Sequence, residues 1–221
     1  MKGTAIVTGA NRGIGLEFCK QLKEAGYDVI ALCRKASPEL WNLGVEVFES
    51  IDITEPKSLE ALISQLPPRP IDLLINNAGI IRRQALDDFT TESALEQFEV
   101  NAIGPIHVTK AFLPFLHKGS KIAMITSLMG SIGDNTSGGR YGYRMSKAAL
   151  NIAAKSVAND LKNQGIAVIT LSPGSVKTAM TDFAGRITTD ESVKGMIEQI
   201  NGLTIDKTGE FVHYNGRELP W

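Results

Sequence analysis

The sequence predicts an α/β fold, a single doubly wound parallel sheet with helices on both faces. Two observations carry this. Short apolar runs rich in strand formers alternate with amphipathic stretches of helical period along the whole chain, which is the pattern of parallel strands joined by crossover helices. The first apolar run also passes through a glycine-rich turn straight into a helical stretch, the opening of a βαβ unit.

Thr4–Thr8, TAIVT, has no alternation and reads as a strand buried on both faces. Gly9, Asn11, Arg12, Gly13, Ile14 and Gly15 belong to the turn that follows. A helix is expected over 14–25, with Gly26 placed to close it in the left-handed conformation. Further strands are expected over 29–33, 45–48, 73–75, 122–126, 168–171 and 211–213. The intervening helices are expected over 58–66, 91–116, 144–163 and 190–201. Pro67-Pro68-Arg69-Pro70 reads as a stiff turn rather than a linker. With no internal repeat or low-complexity stretch, residues 1–221 are expected to form one nucleotide-binding domain of Rossmann type. Right-handed crossovers put its ligand at the carboxyl edge of the strands. Polar, glycine-bearing loops over 128–140 and 175–190 are expected to overhang that edge and shape a substrate pocket.

Composition narrows the function. A net charge of -1 with scattered basic residues gives no electrostatic case for nucleic acid or an anionic membrane. No apolar stretch approaches the ~20 residues of a membrane span. The two cysteines, Cys19 and Cys33, make neither a disulfide framework nor a metal-ligand spacing. A strand that begins almost at once leaves no room for a signal peptide, so a cytoplasmic location is expected.

The turn carries the first chemistry. A helix N-terminus offers unpaired amides and the positive end of a dipole, and glycines let the backbone approach a pyrophosphate. The spacing here is GxxxGxG rather than GxGxxG. The strand over 73–75 leads into Asn77, Ala78, Gly79 and Ile80, small and amide side chains against which a cofactor could pack. An acidic residue closing the second strand bonds the ribose hydroxyls of NAD, whereas a nearby arginine favours NADP. That strand closes here on Cys33, then Arg34 and Lys35. Arg12 is a second cation within the turn. NADP(H) is therefore expected over NAD(H), since an arginine fork matches a phosphate. Arg34 and Lys35 could also be merely solvated surface.

The second chemistry lies in Tyr143-Arg144-Met145-Ser146-Lys147. On a helix Tyr143 and Lys147 share a face one turn apart. A phenol near pKa ~10 is a poor acid–base group at neutral pH, and a neighbouring cation lowers that value. Ser127 upstream could hold a carbonyl oxygen beside the phenol. Asn101 falls inside a helical pattern, where asparagine is unfavourable unless its side chain has a task.

TGANRGIG, INNAG, Asn101, Ser127, YRMSK and SPGSVKT stand in the order and spacing of the short-chain dehydrogenase/reductase family, which the chain resembles from Thr4 to its last residue. Asp134-Asn135-Thr136, Val176-Lys177-Thr178, the stretch FVHYNG over 211–216 and Leu219-Pro220-Trp221 look like its carbonyl-reductase-related branch, with sniffer and C-factor-like proteins. The resemblance implies an NADPH-dependent enzyme interconverting a ketone, aldehyde or quinone with an alcohol. Tyr143 would be the acid/base. Lys147 would lower its pKa and bind the nicotinamide ribose. Ser127 would polarise the carbonyl, and Asn101 would keep a relay water. Asp52, expected to end the third strand, and Ile53 would meet the adenine. Pro173, Gly174, Val176 and Thr178 would set the nicotinamide. Each has a plain alternative: Ser127 as a cap, Asn101 as a brace, Asp52 capping a turn, Pro173-Gly174 as a simple turn.

Leu128, Met129, Ile132, Ser175, Met180 and Phe183 suggest a mostly apolar, carbonyl-bearing small molecule in an open pocket. The rival is an NADP-binding signalling or regulatory protein of C-factor type, since fold does not imply function. An extended-type epimerase or dehydratase also shares YxxxK, but this chain lacks its extra substrate domain. Pairing through the two long helices, over 91–116 and 144–163, would give a homodimer.

Overall fold

In a computed structural model that describes residues 2–221, seven strands form one parallel sheet in the order β3-β2-β1-β4-β5-β6-β7. They are β1 (Thr4–Thr8), β2 (Asp28–Leu32), β3 (Glu46–Phe48), β4 (Ile71–Asn76), β5 (Leu116–Ile125), β6 (Ala167–Ser172) and β7 (Glu210–His213). The order reverses between β1 and β4, so a crevice opens beyond their carboxyl ends, the place where doubly wound sheets take their ligands.

Seven helices pack on this sheet: α1 (Gly13–Glu24), α2 (Pro38–Asn42), α3 (Pro56–Gln65), α4 (Thr91–Phe98), α5 (Gly104–Phe112), α6 (Tyr141–Leu161) and α7 (Thr189–Gly202). Successive strand residues face opposite sides, and the core divides accordingly. Ala5, Val7, Val29 and Ile75 pack with Phe18, Leu22, Val193 and Met196 of α1 and α7. Ile6, Ile30, Leu74 and Val168 pack with Leu59, Val108, Phe112 and Leu150 of α3, α5 and α6. Burial on both faces is why the strands read as unbroken apolar runs. Fully buried side chains such as Phe18 and Phe112 each contribute about 1.5–3 kcal/mol through burial.

Expected boundaries hold within a few residues, with informative exceptions. Gly26 follows the end of α1 at φ 89, its amide on Lys23 O and the Tyr27 amide on Leu22 O, which satisfies the last carbonyls. β2 stops at Leu32, so Cys33 lies just past it. β3 stops at Phe48, and Asp52 sits beyond it in a turn. The short α2, with Ser37 Oγ capping the Leu40 amide, escaped the periodicity because five residues are too few to show a period.

The long helix expected over 91–116 is divided. α4 ends at Phe98, a wider π-type turn spans Glu99–Ile103, and α5 follows. Pro105 gives the reason: it has no N–H for the carbonyl of Asn101 four residues earlier. The Gly104 amide reaches back to Glu99 O instead. Leu116, expected to end that helix, begins β5 opposite Ile71.

Candidate active site

The glycine turn is shaped by close approach. A Cβ on Gly15 would stand 2.2 Å from Gly9 O and 2.6 Å from Asn77 Nδ2, so no larger residue fits there. Thr8 staples the two strand ends that flank the crevice: its Oγ1 accepts the Asn77 and Ala78 amides at 3.0 and 3.1 Å. Asn77 Nδ2 returns a bond to Thr8 O at 2.9 Å. Asn76, by contrast, turns into the core and donates to Thr109 Oγ1 at 3.1 Å. Gly15→Ala should lower unfolding stability by about 3 kcal/mol, the upper end for overpacking, read by denaturant titration. Binding of a nicotinamide dinucleotide should be lost with it.

The other expected cofactor positions divide into those that face the crevice and those that do not. Arg12 stands extended at the start of α1, exposed. Arg34 is exposed directly past β2. Neither has an acidic partner within ion-pair distance among the described residues, so both are available to an anion. Ile53 is 7% exposed and packs toward Gly104 in the core, leaving only its main chain for a ligand. Asp52 Oδ1 accepts both the amide and the hydroxyl of Thr54, at 3.0 and 2.8 Å, the turn-capping alternative. Beyond β6, Thr178 lies against Gly13, which brings the loop that follows Pro173 and Gly174 across to the glycine turn. Val176 is buried and its carbonyl accepts Thr181 Oγ1 at 2.6 Å. An exposed pair of unpartnered arginines beside a cradle that a Cβ would fill fits a phosphorylated dinucleotide.

The polar cluster sits where α6, β5 and the π-type turn meet. Tyr143 and Lys147 are 8% and 4% exposed, one turn apart. Lys147 Nζ lies 5.9 Å from the Tyr143 ring centroid and donates to Ile125 O at 2.9 Å. Desolvation lowers the Lys147 pKa to about 8. Burial raises the Tyr143 pKa above the usual tyrosine value, opposed by the Ser127 side chain and by the Arg140 guanidinium. Burial thus outweighs the groups that lower the phenol, and those groups are Ser127 and Arg140. Ser127 is also a cap, accepting the Met129 amide at 3.1 Å.

Asn101, fully buried, bridges two elements. Its Oδ1 accepts the Ile80 amide at 2.8 Å, and its Nδ2 donates to Ile80 O and Ser146 Oγ, both at 2.9 Å. The side chain is thus a brace, and Pro105 leaves the main-chain carbonyl of Asn101 without its i+4 amide donor. Gly79 completes the junction, its missing Cβ position 3.1 Å from Asn101 Oδ1 and 3.6 Å from Lys147 Nζ.

Several positioning residues were missed by sequence reasoning. Asn151, buried one turn beyond Lys147, accepts Thr126 Oγ1 at 2.7 Å and donates to Gly130 O at 3.2 Å. Its i+4 spacing from Lys147 was the available signal. Ser172 Oγ accepts the Leu128 amide at 3.0 Å. Arg144 donates to Gly139 O, Ser137 Oγ and Met129 O, drawing the 128–140 loop onto α6. Arg140 stands in the left-handed region at φ 52, its amide on Gln84 O at 2.7 Å. Of the expected pocket residues, Ile132, Met180, Phe183 and Ser175 are exposed, and Leu128 and Met129 are half-buried. An Arg83–Asp182 ion pair of 2.6 Å joins the loop after β4 to the one after β6. Both cysteines are free and buried. Among the described residues no helix is long and apolar enough to cross a membrane, and no acidic, His or Cys cluster could hold a metal ion.

A doubly wound parallel sheet with a phenol, an ammonium and a hydroxyl gathered at its carboxyl edge defines a Rossmann-type oxidoreductase. The family model described as short chain dehydrogenase matches residues 3–187. A 1-hydroxy-2-glutathionyl-2-methyl-3-butene dehydrogenase from Rhodococcus sp. (strain AD45) is 37% identical over 224 residues, covering 99% of each chain. The C-signal protein of Myxococcus xanthus is 42% identical over 166 residues, 74% of this chain and 100% of its own. The structure of an NADPH-bound carbonyl reductase from chicken fatty liver superposes with a TM-score of 0.91 at 32% identity, covering 99% of this chain and 98% of that one. The protein belongs to the short-chain dehydrogenase family, within its carbonyl-reductase-related branch.

Proposed function

We propose that the protein is an NADP(H)-dependent carbonyl reductase, interconverting an apolar ketone, aldehyde or quinone with its alcohol, with Tyr143 as the acid. The observation that carries this is the burial of Tyr143 and Lys147 side by side with Ser127 across from them. The NADPH-bound chicken reductase supports the cofactor. The name of the Rhodococcus relative, an alcohol dehydrogenase by its substrate, supports an alcohol–carbonyl couple.

Gly9, Asn11, Gly13, Ile14 and Gly15 would cradle the pyrophosphate, Arg12 and Arg34 the extra phosphate, and Asn77, Ala78, Gly79, Pro173, Gly174, Val176 and Thr178 the nicotinamide half. NADPH held there would supply the hydride. Ser127 Oγ orients and polarises the carbonyl oxygen. Tyr143, kept neutral by burial, gives its phenolic proton to that oxygen as charge develops on it. Lys147 stabilises the phenolate left behind, and the Asn101 carbonyl holds the water through which a proton returns. The test is NADPH oxidation against a panel of aldehydes, ketones and quinones. Turnover on at least one class is expected, and NADPH binding without turnover on any would favour the second reading.

That second reading is a cofactor-binding signalling protein, favoured by the likeness to C-signal. A cytoplasmic location fits either. Leu95, Phe98 and Ile152 leave apolar side chains exposed on α4 and α6, which supports a homodimer through those helices.

The pH dependence follows from Lys147. Its folded pKa is lowered, so the ammonium is lost above about 8, while burial keeps the Tyr143 proton to higher pH. The alkaline limb of kcat/KM, which reports the free enzyme, should therefore fall near about 8. Lys147→Arg should abolish that limb, and a limb unmoved in the variant would assign it elsewhere. The stability sign is opposite. A lysine with a lowered folded pKa destabilises the fold below that value, so its contribution grows more favourable as pH rises from about 8 toward the unfolded value of 10.5.

A further inference from the structure

The first turn of α7 reaches three other parts of the molecule. Thr188 caps it, its Oγ1 accepting the Glu191 amide at 3.1 Å. The next residues each make a separate contact. Gln21 Nε2 of α1 donates to Asp190 O at 3.1 Å and to its Oδ1 at 3.3 Å. Glu191 Oε1 accepts the Tyr214 hydroxyl at 3.0 Å. Ser192, fully buried, donates from its Oγ to Pro173 O at 2.6 Å, and no step of the reaction above uses that hydroxyl.

Tyr214 holds the same turn from a second side. Its amide donates to Ser172 O at 2.9 Å, which places it at the carboxyl end of β6. Gly174 stands at φ 80, and a Cβ there would lie 3.0 Å from the Tyr214 ring. A Cβ on Gly195 of α7 would lie 2.8 Å from the same ring. The ring therefore fills the space between the Pro173–Gly174 turn and α7. A peptide unit is planar, so fixing its oxygen fixes its plane. Ser192 does this for the Pro173–Gly174 unit, and the Tyr214 ring sets its distance from α7. Pro173 and Gly174 are only half-buried, so the turn is held from behind and keeps an open side at the carboxyl edge.

We propose that Ser192 is a positioning residue for the nicotinamide ring: it holds the Pro173–Gly174 peptide against α7, with the Tyr214 ring as spacer, and so sets where that ring rests. The proposal rests on the reading of Pro173 and Gly174 as the nicotinamide turn and adds what fixes the turn. Gln21 joins the same turn of α7 to α1, the helix that opens on the glycine cradle, so one helix relates the two halves of the cofactor site. Removing the Ser192 hydroxyl frees the nicotinamide half. The phosphate half depends on Arg12 and Arg34, which stand on other elements, and is spared.

The test compares two ligands by titration: NADPH, and adenosine 2′,5′-bisphosphate, which carries the adenosine phosphates and no nicotinamide. Ser192→Ala should raise the NADPH Kd about tenfold, the size of one net hydrogen bond, while the bisphosphate Kd stays within about twofold. An equal rise for both ligands, or an unchanged NADPH Kd, overturns the positioning role. Tyr214→Ala, a change at a half-buried position, should show the same split, and it decides alone if Ser192→Ala does not fold. On a carbonyl that responds, Ser192→Ala should lower kcat about tenfold and leave the carbonyl KM within about twofold, because a displaced ring slows hydride transfer without touching the substrate's own contacts. A kcat that does not change also overturns the role. Both binding constants are measured without substrate. An unaltered protein that binds NADPH and reduces no carbonyl therefore counts against the reductase reading alone, and the role of Ser192 is still decided.

Discussion

Tyr143→Phe should cut carbonyl reduction by about a thousandfold, within the range that a positioned general acid contributes, while the NADPH Kd stays within about twofold. The substitution removes one oxygen and leaves the ring in its buried place on α6. A hydride added to a carbonyl leaves an alkoxide that must be protonated, and burial keeps the Tyr143 phenol in the proton-bearing form at neutral pH. Ser127 and Arg140 hold that burial effect in check, so the proton can still be given up. The structural cost is small, because the ring keeps its contacts. Initial rates of NADPH oxidation on a responsive substrate, with cofactor binding measured by fluorescence, separate chemistry from binding. Turnover within tenfold of the unaltered protein would mean that another group supplies the proton.

Arg34→Asp should weaken NADPH binding by about a hundredfold and leave NADH nearly unchanged. Arg34 is exposed past the end of β2, its main chain pinned by the Ser50 amide on its carbonyl at 3.1 Å. The backbone is thus fixed and the guanidinium free to meet a phosphate dianion. Each hydrogen bond between charged groups contributes about 1.5–3 kcal/mol, and the introduced carboxylate adds repulsion where the cation was attractive. NADH carries no phosphate at that position, so a carboxylate there costs it little and can accept its ribose hydroxyls. Titration of both cofactors against the two proteins gives the ratio directly. A comparable loss for NADPH and NADH would show that Arg34 supports the loop rather than reading the phosphate.

Much of this was legible in the chain. TAIVT followed by the glycine turn announced β1 and α1 because the signals are local: a doubly buried strand has no alternation, and Gly15 admits no Cβ against Gly9 O. YRMSK placed Tyr143 and Lys147 on one helical face because the period of a helix is fixed. Other features depended on partners distant in sequence. The π-type turn at Asn101 combines Pro105, visible in the sequence, with packing against Ile80 and Ser146, which is not. Ile53 was expected to meet the adenine, and its side chain packs against Gly104, which leaves the main chain for that role, because only the assembled core shows which side chain fills it. Trp221 and Ser131 lie 90 residues apart, and no periodicity links them.

The order of elements, the glycine cradle, the cations available for a phosphate and the identity of the chemical side chains were determined by the sequence itself, through short-range sterics and helical or strand period. The protonation balance of Tyr143 and Lys147, the bracing role of Asn101 and the bonds from Ser131, Ile132 and Gly133 to Trp221 were decided by the tertiary structure. The physical reason is that desolvation and hydrogen-bond satisfaction belong to a group's surroundings, and those surroundings exist only once β5, α6 and the end of the chain have come together.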